Sequence, residues 1–265
     1  VPELIPLALT LLAVAGYGTA LARLRQQGVR WPARRTACLA AGSVCVATAV
    51  LPPISVHDEL FPVHVTQHLL LGMTGPAFMA LSAPVTLALR ALPRPPRRVL
   101  LRFLHSRPAV ILSAPATAVI LDLGGLYVLY LTGLYRAAED NDLIHAAVHL
   151  HMFLAGCLLS WAIIGSDPGP RRPGVKTRLA VLVIAGAGHD TLAKLMYAHN
   201  LPMGGGSITG RHVGAELMYY GGTIIDLALA IIVMTQWYQA TGRELARTAR
   251  RSAIRRYPAA HDSHP

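Results

Sequence analysis

Seven apolar runs joined by short connectors fill most of this 265-residue chain. They lie at about 4–22, 37–54, 64–89, 109–133, 143–165, 178–198 and 216–239, and each is close to the roughly 20 residues with which a helix crosses a hydrocarbon layer. Only 14% of residues are charged while 53% are hydrophobic, a balance that a water-soluble core does not require. The expectation is an all-α polytopic membrane protein, a bundle of seven transmembrane helices.

The arginines orient it. Connectors one, three and five carry Arg23, Arg25, Arg30, Arg34 and Arg35; Arg90, Arg94, Arg97, Arg98, Arg102 and Arg107; and Arg171, Arg172, Lys176 and Arg178. The alternate connectors hold His57, Asp58 and Glu59, then Arg136 among Glu139, Asp140 and Asp142, then Arg211 alone. Basic loops stay on the cytoplasmic side, which predicts an outside N-terminus and a cytoplasmic C-terminus. The chain opens Val1-Pro2-Glu3 with its arginines after the first apolar run, so that run reads as a retained helix rather than a cleaved signal. Residues 1–242 form one transmembrane domain in this reading, and 243–265, with Arg243, Arg247, Arg250, Arg251, Arg255 and Arg256, a basic, disordered cytoplasmic tail. The net charge of +11 is then a topology signal and a contact with anionic membrane lipid. No soluble basic domain is left to bind nucleic acid.

With topology in hand, the twelve histidines become informative. His57, His64, His68, His145, His149, His151, His189, His199 and His212 fall in outer connectors or the spans beside them, leaving His105, His261 and His264 on the cytoplasmic side. His64 with His68, and His145 with His149, each stand one helical turn apart, so each pair shares a face. His151 is turned about 120° away from His145. Burying four imidazoles without a partner is costly, so two such pairs on one side of the membrane point to a metal or cofactor. Half-solvated histidines at a membrane interface are the plainer reading for His57, His151 and His212.

Span six adds His189 and, seven residues on, Met196, with His199 and Met203 at its exit. Imidazole with thioether suits copper, above all Cu(I), while imidazole sets also suit zinc or haem iron. The candidate ligands are His64, His68, His145 and His149, with His189, Met196 and His199 as a secondary group. Met73 and Met79 read as packing, as do Cys38, Cys45 and Cys157, which lie inside spans and lack CxxC spacing. Asp122, Asp190, Lys194 and Asp226 are ionisable groups inside spans and default to functional hypotheses. Asp190 and Lys194 could pair locally. Asp122 and Asp226 could orient the His189 ring or form a proton path.

The run from His64 to Leu92, with its HxxxH, Gly75-Pro76, Ser82-Ala83-Pro84-Val85-Thr86 and Leu89-Arg90, resembles the signature region of the CtaG family of cytochrome c oxidase assembly factors associated with caa(3)-type oxidases. His145-Ala-Ala-Val-His149, Phe153, Gly156, Trp161 and Asp167-Pro168 resemble the family's later HxxxH helix and following loop. The chain departs from the family pattern at Gly210-Arg211, Met218-Tyr219 and Val148, which bears on subfamily function. The resemblance implies a non-catalytic factor in the bacterial inner (plasma) membrane, handling copper for an oxidase copper centre. Its partners would be cytochrome c oxidase subunits and an extracytoplasmic copper chaperone.

Two other classes stay open: a haem-binding electron-transfer protein, with axial histidines from different helices, and a copper or proton transporter using the four intramembrane charges. No nucleophile motif, phosphate-binding glycine loop or catalytic carboxylate pair stands out, so an enzyme is not expected. Gly204-Gly205-Gly206 reads as an outer loop.

Overall fold

A computed structural model describes residues 4–52, 54, 60–169 and 173–256 of the protein. His57, Asp58, Glu59, Arg171, Arg172, His261 and His264 lie outside the described residues. Among the described residues the regular elements are all helical: α1 (Ile5–Gln26), α2 (Ala33–Val50), α3 (Phe61–His68), a π turn (Leu69–Thr74), α4 (Gly75–Ser82), α5 (Pro84–Ala91), α6 (Arg94–Leu104), α7 (Arg107–Leu112), α8 (Pro115–Leu131), α9 (Leu134–Glu139), α10 (Asp142–Ile164), α11 (Val175–His199) and α12 (Ile208–Arg256).

Five helical stretches are long and apolar enough to cross a membrane: Ile5–Gln26, Phe61–Ala91, Asp142–Ile164, Val175–His199 and Ile208–Ala249. Two of the expected runs are less complete. α2 has 18 residues with Arg34 and Arg35 in its first turn. The fourth run is broken into α7 and the 17-residue apolar α8, because Pro115 has no N–H to extend the preceding turn but fits the first position of a new helix.

Proline punctuates the third run too. Pro76 cannot return an amide to the turn before it, and the helix widens into the π turn just after His68. A second break at Ala83, left-handed at φ 52°, starts α5 at Pro84. Asp167, from the loop after α10, closes that break: its carboxylate accepts the Val85 amide at 3.1 Å, the Thr86 amide at 2.7 Å and the Thr86 hydroxyl at 2.6 Å. Such a bond set satisfies the orphan donors of a helix start.

Glycines let the broken helix sit deep. A Cβ on Gly156 of α10 would collide with the Gly72 carbonyl, and one on Gly42 of α2 would lie 2.9 Å from the Gly75 carbonyl oxygen. α4 is thereby held between α2 and α10, α3 packs on α12, α8 lies against α10 and α11, and α11 runs along α12.

The arginine-rich third connector folds largely into α6. Its arginines Arg94, Arg97, Arg98 and Arg102 accompany exposed Val99 and Phe103, the composition of a helix lying in a membrane interface. Beyond residue 242, where a disordered tail was expected, α12 continues to Arg256. That stretch is rich in Arg and Ala, strong helix formers, with no proline before Pro258.

Candidate metal centre

Each functional side chain is placed by ordinary helix chemistry. The Asn141 side-chain oxygen accepts the Leu143 and Ile144 amides at 2.9 and 3.1 Å, an N-cap that fixes the first turn of α10 and with it His145. His149 follows one turn later on the face that also buries Met152, Phe153 and Gly156. In α3, His64 and His68 lie on a buried face with Phe61, Val65 and Gln67.

His64, His145 and His149 converge: one ring nitrogen from each lies within 4.8 Å of the others. Ring centroids are 5.7 Å apart for His64 and His149, 6.3 Å for His64 and His145, and 4.3 Å for His145 and His149. The His64 ring meets Tyr135 and Tyr130 edge-on at 5.1 and 6.0 Å, and Phe61 packs on both tyrosines. α9 thus roofs the centre with Tyr135. Glu139, at the end of α9, bonds Tyr135; partial burial pushes its carboxyl above the ordinary range while that bond pulls it back.

His64 is 3% exposed and His149 2%, yet the Nε2 atoms of both lack a hydrogen-bond partner. Buried polar atoms are almost always satisfied, and an unmet one costs on the order of 1–3 kcal/mol. Three convergent imidazoles, two of them with buried and unpartnered Nε2 atoms, therefore fit a bound cation. Imidazole sets suit copper, zinc and iron alike.

The second HxxxH partner goes elsewhere. His68 stacks on His189 at 5.9 Å, with the rings 30° apart, and neither of its ring nitrogens has a hydrogen-bond partner. The His189 Nδ1 bonds the Ala185 carbonyl at 3.0 Å, leaving Nε2 facing Asp122 Oδ2 at 3.7 Å.

The remaining candidates sit in other surroundings. Met196 is buried in an apolar cluster with Phe61, Val65, Leu69 and Leu192. His199 is exposed at the end of α11. His151 turns outward and bonds the Leu121 carbonyl at 3.0 Å, and His212 stacks on Tyr197 and bonds Asn200. The Lys194 ammonium lies 5.1 Å from the Tyr219 ring centroid, and an Asp226 carboxylate oxygen lies against Gly186. All three cysteines are free thiols. Sequence reading passed over Tyr130 and Tyr135. For Tyr130 a signal was present, since Asp122, Leu126 and Tyr130 recur every fourth residue of α8 and all three are buried.

Residues 15–240 match the family described as cytochrome c oxidase caa3 assembly factor. An uncharacterized protein of Mycobacterium bovis and one of Mycobacterium tuberculosis are each 32% identical over 268 aligned positions, covering 94% of this chain and 40% of the relative. An uncharacterized protein of Mycobacterium leprae is 29% identical, covering 89% of this chain and 39% of its own length. The chain thus spans about two-fifths of the curated relatives it matches. No solved structure matches it.

Proposed function

Since the chain belongs to the cytochrome c oxidase caa3 assembly factor family, we propose that it is a non-catalytic membrane factor that binds copper at His64, His145 and His149 and passes it to an oxidase copper centre. The observation that carries this reading is the convergence of three ring nitrogens within 4.8 Å at a place where two of the donors are buried and unpartnered. Three neutral imidazoles hold Cu(I) with a single buried positive charge, and ligand exchange between similar sites needs no redox or hydrolytic step.

The chain crosses the bacterial plasma membrane seven times, α2 and α8 supplying the two shorter passes, with the N-terminus outside. The support is the alternation of arginine-rich and arginine-poor connectors. In this orientation the three-histidine centre lies toward the extracytoplasmic side, where copper arrives from a chaperone and leaves for a membrane-embedded oxidase subunit.

The test uses host cells in which this gene is deleted and then complemented. Oxidase purified from cells carrying His64→Ala/His149→Ala should retain haem but show a copper-to-haem ratio several-fold below that of wild-type cells. An unchanged ratio would overturn the proposal.

A further inference from the structure

Below the three-histidine centre lies a second group of buried donors. His68, His189 and Asp122 are 1%, 2% and 5% exposed, come from three different helices, and leave four side-chain atoms without hydrogen bonds: both ring nitrogens of His68, Nε2 of His189 and Oδ2 of Asp122. The orientation of His189 is fixed. Its Nδ1 faces a carbonyl and carries a proton, so Nε2 is the nitrogen turned to Asp122 and open to a proton or a metal, as in imidazoles held ready for a metal by an outer partner. A lone pair and a carboxylate oxygen at 3.7 Å repel each other unless a positive charge joins them.

We infer that His68, His189 and Asp122 form a second cation site, to which the ion held by His64, His145 and His149 moves by exchange of ligands. The inference rests on the copper-binding reading above. His68 is the hinge of the exchange, standing within electrostatic reach of His64, His149 and His189 with both ring nitrogens unpartnered. Charge gives the direction. Cu(I) on three neutral imidazoles leaves a net +1 in an apolar box, whereas Cu(I) on two imidazoles and a carboxylate is electroneutral, which a low-dielectric interior favours. No electron moves in the exchange; the proton that Asp122 and His189 share in the metal-free site leaves as the ion enters.

The deeper site also has an opening. His68 and Asp122 line one cavity of about 370 Å³ between α8 and α10, with Gly125, Val128, Ala147 and His151 along its wall. Val128 and Ala147 are exposed on the outside of the bundle, so the cavity opens sideways.

The test is copper stoichiometry on the full detergent-purified chain, loaded with excess Cu(I) under reducing conditions and washed with a moderate chelator. Wild-type protein should hold about two ions, and Asp122→Asn or His189→Gln about one, with the remaining ion lost on further substitution of His64 and His149. Asp122→Asn keeps the side-chain shape, and gel filtration confirms that each variant is folded. One ion in the wild type, untouched by either variant but lost in His64→Ala/His149→Ala, would overturn the second site and leave the copper-binding reading standing. Loss of every ion in Asp122→Asn would mean one shared centre and overturn it as well. No copper in the wild type would overturn both readings.

Discussion

Asp167 and Arg178 are 7% and 5% exposed, His64 and His149 3% and 2%, and these equally buried groups live in opposite circumstances. Asp167 accepts three bonds from the start of α5. Arg178 donates to the Ile163 and Ile164 carbonyls at the end of α10 and to the Gln236 side chain. At the other end of α10, His64, His68, His149, His189, Asp122 and Tyr130 all retain buried atoms without a partner. One end of the bundle uses buried polarity to join broken helices and satisfies it internally. The other end keeps it in reserve, which is reasonable only if something else binds there.

The contrast can be broken by removing polar groups at both ends. Asp167→Ala strips the cap from α5 and leaves two partly buried amides without their carboxylate partner, a cost of about 1–3 kcal/mol, read as a lower unfolding midpoint in detergent with copper retention unchanged. His68→Leu should act in the opposite sense. Deleting an unsatisfied imidazole from an apolar setting should stabilise the metal-free protein by about 1–2 kcal/mol while abolishing one copper site. A destabilisation like that of Asp167→Ala would show that His68 is structural. The smallest effect is expected at Asn141→Ala, where loss of the N-cap costs about 1 kcal/mol and, by loosening the turn that holds His145, weakens Cu(I) binding less than tenfold in a chelator competition.

Much of this was legible in the residues. Length and hydropathy located most of the helices, and one-turn spacing put His64 with His68, and His145 with His149, on shared faces at one side of the membrane. What spacing could not give is the relative height of helices. His64 and His68 share a face of α3, but only tertiary packing decides that one joins α10 and the other joins α11. The same limit explains Met196 and His199. Their sequence nearness to His189 suggested a group, whereas α11 buries Met196 against Phe61 and leaves His199 exposed. The π turn after His68 and the break before α8 follow from Pro76 and Pro115, so their cause was visible although their form was not. Asp167 and Arg178 owe their roles to contacts 81 and 58 residues away, which no local pattern records.

The most direct measurement is X-ray absorption at the copper edge of the full chain, loaded with less than one Cu(I) per chain in the presence of a moderate chelator. Binding by the histidine centre predicts retained, low-coordinate Cu(I) with nitrogen or oxygen neighbours only. A sulfur neighbour, from Met196 or any of the cysteines, or copper lost wholly to the chelator, would contradict it.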